Sequence, residues 1–204
     1  MSRFVFTLVT ALALAATAAA QAANWDIDPK HTAAQFSVRH LGVSTVRGAF
    51  TKVSGAVQYD PADPSKDSLD ATIDTNSVDT RVEARDNDLR SPHFFDAQKY
   101  PTITFHSKTA KAAGPGKLLI TGDLTIHGVT KEVVLDVDGP SAAIKDPMGK
   151  GQRMGASATT KITRQDFGIS AAPGVVGDEI TITIDVELTQ PPVTQSPVTQ
   201  PQAK

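Results

Sequence analysis

Five histidines, His31, His40, His93, His106 and His127, are the side chains of this 204-residue sequence best suited to proton transfer or metal binding. They are scattered, with no His-x-His pair and no His-Glu-x-x-His, so spacing supports no zinc site. The chain has no cysteine, which removes disulfide frameworks, thiolate metal sites and thiol nucleophiles together. No Gly-x-Ser-x-Gly elbow, phosphate loop or dinucleotide fingerprint occurs. His40, beside Arg39 at the end of an alternating run, is the best placed for a pocket rim. His31 or His40 with a carboxylate partner is what an enzyme would use. No catalytic constellation, metal site or cofactor is expected.

The densest group of charges lies over residues 80–95, TRVEARDNDLRSPHFF, where Arg81, Arg85 and Arg90 alternate with Glu83, Asp86 and Asp88. Opposite charges at helical spacing usually form a solvated face. The sharper alternative is that one arginine meets a phosphate or carboxylate head at the mouth of a cavity. Few of these residues are β-branched, and Pro92 ends the run. A short helix is therefore expected near residues 80–91.

Around this segment the sequence alternates with period two. Ile180, Ile182, Ile184, Val186 and Leu188 interleave with Thr181, Thr183, Asp185, Glu187 and Thr189, the mark of an antiparallel strand with one apolar face. The pattern recurs in Ala34-Phe36-Val38, Leu69-Ala71-Ile73, Ile103-Phe105, Leu118-Ile120-Leu124-Ile126 and Val133-Leu135-Val137, and more weakly over 46–59 and 154–162. Turn signals such as Asp60-Pro61, Gly114-Pro115-Gly116 and Gly139-Pro140 separate the runs. A second short turn is expected over 165–168. The expected fold is all-β, an antiparallel barrel of about eight strands, with a two-sheet sandwich as the alternative.

Composition sets the remaining bounds. Lys and Arg number 20 against 22 Asp and Glu, a formal charge of -2, which gives no basic excess for nucleic acid. Aromatics are only 5% of residues. A barrel of about eight strands is either filled by side chains or holds one small ligand, and composition leaves both outcomes open. Residues 1–22 carry one charge, Arg3, before an apolar run ending in Ala20-Gln21-Ala22, as a cleaved secretory leader does. The expected mature protein is exported and has neither a lipid anchor nor a membrane anchor. Residues 24–189 form the folded unit, and 190–204, rich in Pro, Thr and Gln, form a disordered tail.

An ordered series of motifs adds an identification. Trp25-Asp26-Ile27-Asp28-Pro29-Lys30-His31-Thr32 opens it, followed by Phe36-Ser37-Val38-Arg39-His40 and Gly48-Ala49-Phe50. Arg85 to Asp96, Tyr100-Pro101, Thr104 to Ser107, Gly122 to Lys131 and Arg164 to Gly168 follow in order. The series resembles the YceI-like family of exported bacterial proteins from about residue 24 to 188. The resemblance implies a lipocalin-like barrel with a short helix near one end and a hydrophobic tunnel for polyisoprenoids or related long-chain amphiphiles. Homodimers and a periplasmic location are implied as well. Carried over by residue, it points to His31, Phe36, His40, Arg85, Asp88, Phe94 and Phe95. With the inward strand residues Val38, Phe105 and Ile120, these form the expected ligand-binding set.

The expectation is thus a non-enzymatic carrier for a long-chain isoprenoid or acyl amphiphile. An interaction module with a filled core is the alternative, and an enzyme acting on a hydrophobic substrate is a more remote one.

Overall fold

The computed structural model describes residues 22–149 and 151–190. Apart from residues 22 and 190, the expected leader and tail lie outside the described residues. The strands are β1 (Ala23–Ile27), β2 (Ala33–His40), β3 (Ser44–Phe50), β4 (Val53–Tyr59), β5 (Ser68–Asp74) and β6 (Val78–Asp79). The helix α1 (Glu83–Arg90) comes next, then β7 (Thr102–Gly114), β8 (Lys117–Ile126), β9 (Val129–Asp138), β10 (Ile144–Lys145), β11 (Gln152–Thr163) and β12 (Val176–Gln190).

Every strand pairing is antiparallel. The pairings run β1–β4–β5–β7–β8–β9–β11–β12 and return to β1, a closed ring of eight strands. Closure leaves no open edge in the ring. The additional strands are continuations: β2 carries on along β12 where β1 leaves it, β3 pairs with β2, and β6 pairs with β3. The eight strands read from the sequence are these eight staves, three of them broken by short irregularities. Between β1 and β2 the break is Asp28 to Thr32, where the Asp28 carboxylate accepts from the Lys30 N–H at 2.9 Å. Between β5 and β6 it is a 3-10 turn over Thr75–Ser77.

Alternation places the apolar residues inward. Ile180, Ile182, Ile184, Val186 and Leu188 of β12 all line the interior, as do Leu118, Ile120, Leu124 and Ile126 of β8. In β7 a register shift between Ser107 and Thr109 breaks the period, so Phe105 and Ser107 face inward on one side of it and Ala110 on the other. Each inward Ile or Leu contributes about 1.5–3 kcal/mol when fully buried.

Up-and-down order sends the connections alternately to the two ends. Residues 60–67, 115–116, 139–149 and 151 lie at one end; 41–43, 75–101, 127–128 and 164–175 lie at the other. The second end is closed by aromatic packing. Phe36 lies 5.8 Å from Phe50, and Phe50 meets Phe95 edge-on at 5.5 Å. Phe167 and Val78 are almost fully buried nearby.

The helix begins at Glu83, not near Thr80. Arg81 has a positive φ of 64° and Val82 is extended, so the chain turns before it can coil. Asp86 reaches back across that turn and accepts from the Thr80 N–H at 2.8 Å and the Thr80 hydroxyl at 2.5 Å. The charged segment keeps a solvated face in Glu83, Asn87 and Asp88, as its composition suggests, but Asp86 is turned inward and is only 6% exposed. The expected turn over 165–168 is present as a 3-10 turn over Arg164–Phe167, ended by Gly168 at φ 76°.

Candidate functional site

The inward faces do not meet along the axis. They enclose a cavity of about 250 Å³ lined by residues from every stave. Its wall is almost entirely hydrocarbon: Val53, Val57, Leu69, Ile73, Ile103, Leu135, Val137, Ala156, Ala158 and Ile162 join the residues already named. Leu89 of α1 and Phe94 and Phe95 just after it close the wall at the helix end. Two glycines hold aromatic rings against the wall. A Cβ at Gly48 would stand 2.5 Å from the Phe36 ring, and one at Gly122 would stand 2.5 Å from the Phe105 ring. Each ring lies over a strand position that has no side chain.

Of the ten expected ligand-binding residues, Phe36, Val38, Phe94, Phe95, Phe105 and Ile120 line this cavity. His31, His40, Arg85 and Asp88 do not, and each has other surroundings. His31 is exposed and its Nδ1 lies 2.8 Å from Asp28 Oδ2. His40 ends β2 opposite Ser44 and Val176, with its carbonyl accepting from the Val43 N–H. Arg85 folds back on Thr80, donating to its hydroxyl at 2.7 Å and its carbonyl at 2.9 Å. Asp88 faces solvent beside His93, 3.1 Å away. Polar side chains in regular-looking motifs thus secure turns, while the cavity takes the apolar members of the same motifs.

Three features were not visible in the sequence. Near the end formed by residues 60–67, Tyr59, Asp67, Ser68 and Ser107 break the hydrocarbon lining. Burial raises the Asp67 carboxyl above the usual carboxylate range, helped by Asp60 and Asp63. Burial also raises the Tyr59 hydroxyl, with Asp67 and Asp60 adding to the effect. Short local turn signals at Asp60-Pro61 gave no hint that the loop folds a carboxyl inward.

Outside the barrel wall, Arg153 binds three carboxylates. It donates to Asp28 at 2.9 Å, pairs with Asp146 at 3.1 Å and contacts Glu187. The His31 hydrogen bond, then the Lys30 N–H and Arg153, hold the Asp28 carboxyl well below the usual range. The three carboxylates raise the Arg153 guanidinium in turn, Glu187 most. Ligand atoms of Asp28, His31 and Glu187 converge within 4.8 Å, yet the guanidinium bonds to both carboxylates, so the group reads as an ion-pair network. The third feature is Arg164, only 4% exposed, which donates to the carbonyls of Ile169, Ala171, Val176 and Gly177. It fixes the 164–177 connection over the helix end of the cavity.

A YceI-like domain model matches residues 25–188. Protein YceI of Salmonella arizonae is 38% identical over 182 residues, 89% of this chain and 94% of that one. A UPF0312 protein of Vibrio cholerae is 43% identical over 153 residues, 74% of this chain and 80% of that one. Among solved structures, Burkholderia cenocepacia BcnA has a TM-score of 0.70 at 25% identity, covering 79% of this chain and 98% of that one. A polyisoprenoid binding domain from Saccharophagus degradans, implicated in plant cell wall breakdown, shares the fold. Its TM-score is 0.61 at 18% identity, covering 84% of this chain and all of that one.

Proposed function

The chain belongs to the YceI-like domain family, and from that premise we propose that it is an exported carrier or store for a long-chain amphiphile such as a polyisoprenoid. The observation that carries this reading is the cavity wall, hydrocarbon from the strand ends near Val137 to the aromatic closure at Phe95. Each methylene of a guest moved from water to such a wall gains about 0.8 kcal/mol. A long chain therefore gains affinity without any charged contact. Phe36, Val38, Phe94, Phe95, Phe105 and Ile120 contact the guest in this reading.

The polyisoprenoid-binding description of the Saccharophagus degradans domain agrees with the reading. The leader over residues 1–22 supports export to the periplasm. The reading assigns no catalysis, since the acid–base pair formed by Asp28 and His31 lies outside the cavity lining. A homodimer and an acyl-chain guest are also compatible with it.

Protein purified from the periplasm without detergent and extracted with organic solvent tests the proposal. Mass spectrometry is expected to find a stoichiometric long-chain isoprenoid or acyl amphiphile. Repeated recovery of no lipid, with no uptake of added polyprenyl chains, would overturn it.

A further inference from the structure

The β2–β3 hairpin ends in a tip that the core does not use. Its turn, His40 to Val43, leaves Leu41 55% and Val43 79% exposed. Val175 lies beside them, its carbonyl accepting from the Leu41 N–H at 2.7 Å, and is exposed as well. Leu41 and Gly42 both have positive φ, 52° and 69°. Hairpin turns give that conformation to Asn-Gly or Asp-Gly, because a bulky side chain is strained there. The chain therefore holds an apolar side chain in water at a position where a polar one would fit with less strain.

Charge and position identify what covers this tip. From Ala33 to Lys52 the sequence contains no carboxylate, while Arg39 and Arg47 stand on the two strands of the hairpin. The Arg39 guanidinium lies against the turn itself, donating to the Thr45 hydroxyl at 2.8 Å and the Gly42 carbonyl at 2.6 Å. Asp178 and Glu179, the carboxylates that follow Val175 on β12, are engaged by Arg164 at 3.2 Å and Lys161 at 2.9 Å. Val38 and Val176, close by in the chain, line the cavity, so the tip stands at its rim. Three apolar residues at one turn fall far short of the roughly 20–30 residues a side of a stable protein interface.

We propose that this tip docks on an anionic bilayer, with Leu41, Val43 and Val175 entering the acyl boundary and Arg39 and Arg47 meeting lipid phosphates. The proposal builds on the carrier reading by naming where the guest is collected: water excludes every methylene of a long chain, so such a guest resides in membranes. The formal charge of -2 on the whole sequence opposes contact little, because salt screens charges beyond about 8 Å.

Flotation of the full mature protein with guest-free phosphatidylcholine vesicles, with and without phosphatidylglycerol, tests the contact without the guest. Binding is expected to require phosphatidylglycerol and to weaken as salt rises. Leu41→Asn combined with Val43→Ser should weaken it about tenfold or more, the worth of one or two buried aliphatic side chains, and Arg47→Gln about fivefold. Because asparagine suits the turn, the double variant should melt no lower than the parent. Its binding of a polyprenol presented in detergent should be unchanged, while uptake of the same polyprenol from anionic vesicles slows. No vesicle binding by the parent, binding indifferent to phosphatidylglycerol, or parental binding or uptake by the double variant would overturn the docking surface and leave the carrier reading standing. So would a lower melting temperature, which would assign Leu41 to the fold, or a dimer that the double variant dissolves. Docking that persists when no polyprenol is taken up from either source would overturn the carrier reading and leave the surface standing.

Discussion

At the residue scale, the openness of the interior depends on what is missing as much as on what is present. Phe36 and Phe105 are large enough to fill the barrel, but each ring lies back over a glycine on the neighbouring strand. Gly122→Val would put a side chain where the Phe105 ring and the His106 carbonyl already approach within 2.5 Å of a Cβ position. The ring must then turn toward the axis. We expect a loss of about 1–3 kcal/mol in stability, as for other overpacked sites. Uptake of a polyprenol should weaken with it. Thermal melts and a lipid-binding titration on the same preparation measure both effects. Unchanged binding in a destabilised variant would mean that Phe105 does not border the guest.

At the scale of elements, the strands were legible and the closures were not. Period-two alternation is a local property, so Ile180 to Leu188 announced their inward face without knowledge of the partner strands. The helix was located by Pro92 and its charge spacing, but its first turn was not, because Asp86 capping Thr80 joins residues across a left-handed Arg81. Charged composition likewise suggested solvent exposure for side chains that instead hold backbone. Arg90 donates to the carbonyls of Asn76 at 2.9 Å and Val78 at 2.7 Å, tying α1 to the β5–β6 connection. The apolar half of the site was therefore readable from the strands, whereas Asp67 and Arg164 depend on loop geometry. Asp86→Ala leaves the Thr80 donors unsatisfied, and losing such a cap costs about 1–2 kcal/mol. Hydrogen exchange should accelerate first across residues 80–95, with the ring strands still protected. Uniform acceleration throughout the barrel would show that α1 is not a separable closure.

At the scale of the whole molecule, closure joins the first strand to the last. Asp26 and Ile27 pair with Thr189 and Leu188, and Arg153 on β11 connects Asp28 to Glu187 over the same seam. The Asp28 carboxyl is lowered in the folded state, so its contribution to stability is present above the unfolded value, about pH 4, and is lost as pH falls through the folded value. Asp28→Asn should accordingly melt at a lower temperature than the parent at pH 7. The gap should narrow steadily below about pH 4. A constant gap down to strong acid would place the effect of the substitution in something other than the ion pairs.

The seam also sets an order of events. Until β12 is in place the remaining strands of the ring form an open sheet with two bare edges, and β12, the last strand of the ring in sequence order, is the one that seals it. Before that step the interior has no closed wall around it. On the carrier reading, loading therefore follows the docking of β12, and the guest is drawn from whatever surrounds the molecule at that moment.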